Sequence, residues 1–164
     1  MAKERFRDNY FAALPDLRGI EEELVQALAQ LGTQARHPDL GMLFQLHLDE
    51  TRGHLARVEE LLSRHGVGPT GRTDGIVEAL VREAAMQADR IVDPDVLDAV
   101  LIAWAQRIEH YEIAAYGTVA TYARSLGLDR DHQILLATLN EEEEFAARLA
   151  EIANDTVNRD GAVA

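Results

Sequence analysis

Leu14, Leu17, Glu21, Leu24, Leu28 and Leu31 recur at spacings of 3, 4, 3, 4 and 3, the signature of an amphipathic helix that turns one stripe towards a core. Phe44, His47, Glu50, His54, Val58 and Leu61 form a second stripe, and Ile102, Ala105, Glu109, Glu112, Tyr116 and Val119 a third. A fourth reads in two registers: Leu135, Thr138, Glu141, Phe145 and Leu149, or Leu135, Leu139, Glu142, Ala146 and Leu149. No segment alternates with a period of two over a convincing length, so the pattern predicts an all-α chain.

Helix punctuation divides the chain further. A first helix is expected from about Arg7 to Leu31, with Pro15 kinking it or opening its main segment and Gly32 closing it. Pro38 opens a second, which runs to about Arg64 and ends at His65-Gly66. The Gly/Pro-rich stretch from Gly66 to Asp74 precedes a shorter amphipathic helix over about 75–89. Asp93 caps and Pro94 opens a long helix to about Leu126, stopped by Gly127. Asp129 is the expected cap of the last helix, which runs to about Asn158, with 159–164 fraying.

Two of these segments repeat. Residues 18–28 (RGIEEELVQAL) lie over 106–116 (QRIEHYEIAAY), placing Glu21 on Glu109 at an offset of 88. Residues 47–62 (HLDETRGHLARVEELL) lie over 138–153 (TLNEEEEFAARLAEIA), placing Glu50 on Glu141 at an offset of 91. The chain therefore reads as an imperfect tandem repeat of one helical hairpin, about 7–65 and 95–158, within a single domain over 1–164. The helix at 75–89 has no counterpart in the second copy and is the expected crossover. The predicted fold is a four-helix bundle with this short additional helix, its hairpins related by a pseudo-two-fold axis.

Each long helix then carries a glutamate in its apolar stripe. Carboxylates facing one another in a bundle interior must take up protons or enclose cations. Two divalent ions bridged by carboxylates neutralise four negative charges, and terminal His or Glu side chains complete each coordination sphere. The candidate ligands are Glu21, His47, Glu50, His54, Glu109, Glu112 and either Glu141 or Glu142. The repeat favours Glu141; the smoother stripe favours Glu142. Four successive residues cannot share one helix face, so at least two of Glu141 to Glu144 are solvated. A lone stripe glutamate is usually a boundary residue, and a lone His on a stripe usually a hydrogen-bonded core residue. The repeat-related placement is what argues for metal. Tyr116 reads as core, with a hydroxyl able to reach behind the ligands; Trp104 and Phe145 read as packing, and His37, His65 and His132 as helix-end residues.

Composition narrows the chemistry. With no cysteine there is no disulfide, thiolate site or iron–sulfur cluster, and oxygen with imidazole suits iron or manganese. At 164 residues, 47% hydrophobic, the chain is long enough for a real core. The net charge of −13 argues against unaided binding to nucleic acid or anionic membranes. The N-terminus does not read as a signal peptide and no apolar run approaches the ~18 residues of a membrane span, so the expected compartment is the cytoplasm. Tyr10, Phe11, Trp104 and Tyr122 cannot all fit an inner stripe, which points to a homodimer through an outer face.

At the segments 47–62, 99–128 and 138–152, above all EHYEIAAYGT from Glu109 to Thr118, the chain resembles the YciE/YciF family of small bacterial ferritin-like proteins. The similarity spans about Tyr10 to Asn158 and is weakest around 66–96. The resemblance implies a ferritin-like four-helix bundle, a dinuclear metal site, a dimer and a link to bacterial stress responses. Glu21, His47, Glu50, Glu109, Glu112 and the Glu141/Glu142 pair match the family pattern, and His110 its His-Tyr step. Position 54, here His, is often Gln in such sequences. The ferritin spacing of Glu followed three residues later by His is absent, because residue 53 is Gly. The expected function is that of a di-iron or iron/manganese carboxylate protein acting on ferrous iron with peroxide or dioxygen. The rival readings are a non-catalytic metal-binding stress protein and a structural helical dimer.

Overall fold

The computed structural model describes residues 2–70 and 74–154. Among these there are five helices and no strand: α1 (Ala2–Gln34), α2 (Pro38–His65), α3 (Gly75–Ala88), α4 (Pro94–Leu126) and α5 (Asp129–Ile152). The hairpins α1/α2 and α4/α5 pack on each other through α1 against α4 and α2 against α5. The short α3 lies on α4 and touches α1. The expected all-α bundle with a short additional helix is therefore what the chain forms. None of the helices is long and apolar enough to cross a membrane.

Several helix ends follow the sequence signals. Gly66 and Gly127 take left-handed backbone, with φ of 62° and 75°, where glycine carries no Cβ penalty. Asp93 accepts a hydrogen bond from Val96 N at 3.1 Å, and Asp74 caps α3 through Ile76 N and Val77 N. The other carboxylate oxygen of Asp74 accepts from the Tyr111 hydroxyl, tying α3 to α4.

Other ends differ. Gly32 does not close α1: it has no left-handed backbone and the helix continues to Gln34. What fixes the turn is Asp98 of α4, only 2% exposed, whose carboxylate accepts from Arg36 N and His37 N at 2.8 and 2.6 Å. A buried carboxylate thus satisfies two backbone donors ahead of α2. Pro15 lies inside α1. Leu128, not Asp129, occupies the cap position of α5; Asp129 and Asp131 sit in its first turn, where carboxylates favour the positive end of the helix dipole. The expected extension of α5 to Asn158 and the fraying tail lie outside the described residues.

The apolar core falls into two clusters. One includes Leu14, Leu17, Leu61, Tyr116 and Leu135; the other includes Leu31, Phe44, Leu101, Phe145 and Leu149. Between them, at mid-height on each long helix, the buried side chains are polar: Glu21, His47, His54, Glu109, Glu112 and Glu142. Tyr10 is fully buried rather than on an outer face, its hydroxyl donating to Asp131 at 2.8 Å. Phe11 packs on Tyr10 and His65, Tyr122 on Phe6, and Trp104 donates to Gln87 beneath Arg107. The aromatic residues expected to mark a dimer face are thus engaged within the chain.

Candidate metal centre

Five of the eight candidate residues sit where their stripes put them. Glu21 of α1, His54 of α2, and Glu109 and Glu112 of α4 are each no more than 2% exposed, as is His47 of α2. On α5 the buried positions include Leu135, Thr138, Glu142, Phe145 and Leu149, at spacings of 3, 4, 3 and 4, with Ala146 and Asp131 also buried. This register blends the two read from the sequence and places Glu142, 0% exposed, in the interior. Glu50 and Glu141, read as interior glutamates, instead lie at the stripe edge with side chains 37% and 34% exposed. The α2 stripe runs through His47, Thr51, His54 and Val58, so one residue of helical rotation carries Glu50 outwards.

The six interior residues fall into two groups that share one member. His47, Glu109, Glu112 and Glu142 each bring one ligand atom within 4.8 Å of the others, as do Glu21, His54 and Glu142. Glu142 Oε2 lies 3.4 Å from His47 Nε2, which is itself 3.5 Å from Glu109 Oε1. Glu142 Oε1 lies 2.8 Å from His54 Nδ1, which is 3.7 Å from Glu21 Oε2. The two oxygens of one carboxylate therefore face different groups.

Each histidine has a second ring nitrogen, and each meets a rim carboxylate. Glu50 Oε2 lies 3.1 Å from His47 Nδ1, and Glu141 Oε2 lies 2.8 Å from His54 Nε2. A carboxylate behind an imidazole fixes its tautomer and ring orientation, the arrangement found behind metal-bound histidines. Arg57 holds Glu141 in a fork of 2.6 and 2.9 Å and also donates to Thr138. Phe145 stacks flat on His47, centroids 3.6 Å apart and planes 5° from parallel. The Tyr116 hydroxyl donates to Glu21 Oε1. His110 lies outside this constellation, exposed, with Nδ1 against the Gln106 carbonyl.

The electrostatics are those of crowded carboxylates. Burial pushes Glu21 up to about 8, with Glu142 adding to it and His54 and Tyr116 opposing. Burial likewise raises Glu109 to about 7 against the pull of His47. Glu112 is raised well above its ordinary value by burial and then by Glu142, Glu109 and Glu21, all in the same direction. Burial alone would lower His47, but Glu109, Glu50 and Glu142 outweigh it and push it up to about 10. His54 is raised in the same way, chiefly by Glu142 and Glu21. At the rim the sign reverses: His47 lowers Glu50, and Arg57 with His54 lowers Glu141.

These residues fit a metal ion. Among the described residues, the buried side-chain oxygens and nitrogens without a hydrogen-bond partner are Glu21 Oε2, His54 Nδ1, Glu109 Oε2, Glu112 Oε2 and both oxygens of Glu142. Every one belongs to the cluster. Leaving one buried polar atom unpaired costs about 1–3 kcal/mol, and more when it is charged. His54 Nδ1 and Glu142 Oε1 are 2.8 Å apart yet lack hydrogen-bond geometry. That separation suits neighbouring ligand atoms on one ion, with bonds of ~2.0–2.2 Å. Buried oxygen and imidazole donors can hold such an ion; the missed sequence signal was the mixed register of α5.

Fold and site together define a helical-bundle protein with a buried carboxylate–imidazole centre suited to metal. The chain belongs to the YciF family. The model of a domain of unknown function, DUF892, matches residues 5–162. Protein YciF of Escherichia coli K12 is 34% identical over 160 residues, 97% of this chain and 96% of that protein. The crystal structure of the E. coli stress protein YciF matches with a TM-score of 0.87 at 34% identity, over 93% of this chain and 97% of that one. YcfI from Rhodopseudomonas palustris matches with a TM-score of 0.85 at 34% identity, over 88% and 92%.

Proposed function

We propose that this chain binds two divalent metal ions, iron or manganese, and uses them to oxidise ferrous iron or consume peroxide or dioxygen. The observation that carries the reading is the Glu142 carboxylate, fully buried, with both oxygens unpartnered and each turned to a different ligand group. His47, Glu109 and Glu112 would hold one ion with Glu142, and Glu21 with His54 the other. Four buried carboxylates then balance two divalent ions in charge. Bound there, the ions would supply electron transfer and Lewis acidity towards an oxidant.

The chain's own groups do the remaining work. Glu50 and Glu141 orient the imidazoles from the rim rather than entering the interior, and Phe145 and Tyr116 fix His47 and Glu21 from the other side. Glu112, whose hold on a proton burial and its carboxylate neighbours strengthen, would give that proton up where a cation binds. The two apolar clusters above and below exclude water from the centre. A second reading, metal retention without turnover, draws on the near-complete burial of every ion-facing residue. As in the E. coli relative described as a stress protein, the setting is a stress response, here by a cytoplasmic homodimer.

Calorimetric titration of manganous ion into chelator-treated protein tests the site, with two ions per chain expected and Glu142→Ala reducing both affinity and stoichiometry. A wild-type chain that binds no ion refutes it. Anaerobic ferrous loading followed by a peroxide pulse then separates turnover from retention.

A further inference from the structure

Two neighbouring apolar cavities, one of them beneath α3, share Ala27, Leu31 and Ile108 in their walls. The outer one, between α1, α3 and α4, is walled by Ala27, Leu31, Val81, Ala84 and Ile108, with Gln30 and Gln34 also in its lining. The inner one shares Ala27, Leu31 and Ile108 and adds Leu24, Leu28, Ala105 and Glu109. They leave 20 and 10 Å³ respectively for the centre of a water-sized molecule.

Small side chains make this space. Ala27 on α1, Ala84 on α3 and Ala105 on α4 stand where larger apolar groups would close the packing. A resident water needs two to four polar partners, and the inner cavity offers only Glu109, so it favours an apolar occupant. Glu109 is 2% exposed and its Oε2 has no hydrogen-bond partner. The rim of the centre is different: Glu50, Glu141 and Arg57 meet solvent there with charge. The centre therefore has a charged edge and a dry back.

We propose that the neighbouring cavities are an apolar route by which a small uncharged gas, dioxygen, reaches the carboxylate cluster at Glu109. Its use by the protein rests on the proposed metal site; the route itself belongs to the metal-free chain. It lies against α3, the helix with no counterpart in the second hairpin.

Crystals of chelator-treated protein pressurised with xenon test the route directly. Xenon is expected beside Ala27, Leu31 and Ile108 in the wild type, and absent in Ala27→Leu, which fills the space at the shared wall. Ala84→Leu, which narrows the outer cavity from α3, is the second variant should Ala27→Leu fold poorly. Both should bind manganous ion as the wild type does. In the iron-loaded protein each should slow dioxygen consumption several-fold while leaving peroxide consumption, a reaction of a polar solute, near the wild-type rate. Lack of xenon in the wild type overturns the inference. So do a loaded wild type inert to dioxygen, unchanged dioxygen rates in the filled variants, and equal losses with both oxidants. A protein that binds no metal would instead fail the proposed function and leave the xenon result to decide the route.

Discussion

Glu112→Leu separates a metal centre from an ordinary structural cluster. Glu112 is 1% exposed, its Oε2 has no partner, and the neighbours that act on it, Glu142, Glu109 and Glu21, are all carboxylates. Without metal it is therefore a net burden: a buried polar group left unpaired costs about 1–3 kcal/mol. Leucine has similar volume and removes that cost. At roughly 2–4 °C per kcal/mol for a chain of this size, the metal-free variant should melt about 2–12 °C above metal-free wild type. Metal reverses the comparison of responses. Ion binding to the folded state adds about 2.7 kcal/mol at 100 times the dissociation constant and about 4.1 at 1,000 times, or roughly 5–16 °C for the wild type. If loss of one ligand weakens binding about a hundredfold, the lower of these falls to about 0.4 kcal/mol, near 1 °C. Differential scanning calorimetry after exhaustive chelation, with and without manganous ion, reads both quantities. A metal-free Glu112→Leu melting several degrees below wild type, with a wild type indifferent to manganese, would refute the reasoning. Glu21→Leu is the internal contrast: it strands the buried Tyr116 hydroxyl and should not gain stability.

Other outcomes follow from the same contacts. Tyr116→Phe removes a hydrogen bond that lowers Glu21, so protons compete better and manganese affinity near pH 7 should fall a few-fold in calorimetric titration; tighter binding would contradict this. In the metal-free protein Glu21, Glu109 and Glu112 bind protons more readily folded than unfolded, with Glu21 at about 8 and Glu109 at about 7. Their contribution is complete below the ordinary carboxylate range and is lost as pH rises through 7 to 8, so the melting temperature should fall from pH 5 to 8 while metal affinity rises. Asp131→Ala strands the Tyr10 hydroxyl and removes the partner of His65 and Arg64; a loss of about 3 kcal/mol in urea unfolding with unchanged metal binding is expected. Met42 and Leu46, 64% and 50% exposed one turn apart on α2, are the apolar pair expected in the proposed homodimer face, so the wild type should scatter as a dimer and Leu46→Asp as a monomer; a monomeric wild type refutes this.

The long stripes were legible because period and punctuation agreed. Glu21, Glu109 and Glu112 sit in unbroken apolar runs, and the α4 stripe from Ile102 to Val119 is buried at every position read. What failed was rotation about a helix axis by one residue. Glu50 fits the α2 stripe as read and Glu141 is favoured by repeat alignment, but an alignment matches positions along the chain and says nothing about the angle each helix presents to its neighbours. On α2, Thr51 competes with Glu50 for the interior and wins, its hydroxyl bonded to the His47 carbonyl at 2.8 Å. On α5, Glu142 takes the interior place while Arg57 anchors Glu141 at the rim. That anchor comes from another helix, so no pattern within α5 could reveal it. Asp98 and Asp131 were invisible for the same reason: their partners are 61 to 121 residues away.

Yet the alignment was informative about the rim. Glu50 and Glu141 are about equally exposed, and each backs a buried histidine. The interior, by contrast, is not duplicated. An offset of 91 carries His47 onto Thr138, Thr51 onto Glu142 and His54 onto Phe145; an offset of 88 carries Leu24 onto Glu112. Imidazoles thus come from the first hairpin and the additional carboxylates from the second. Charge gives a reason. Had both copies carried glutamate at the positions of Thr51 and Leu24, six buried carboxylates would face one another, more than two divalent ions neutralise. Phe145, standing where a second copy of His54 would be, instead covers the face of His47. In the proposed arrangement the two ions therefore meet unequal partners, three further ligands at one position and two at the other. A near-symmetric fold would then bind its ions in unequal steps.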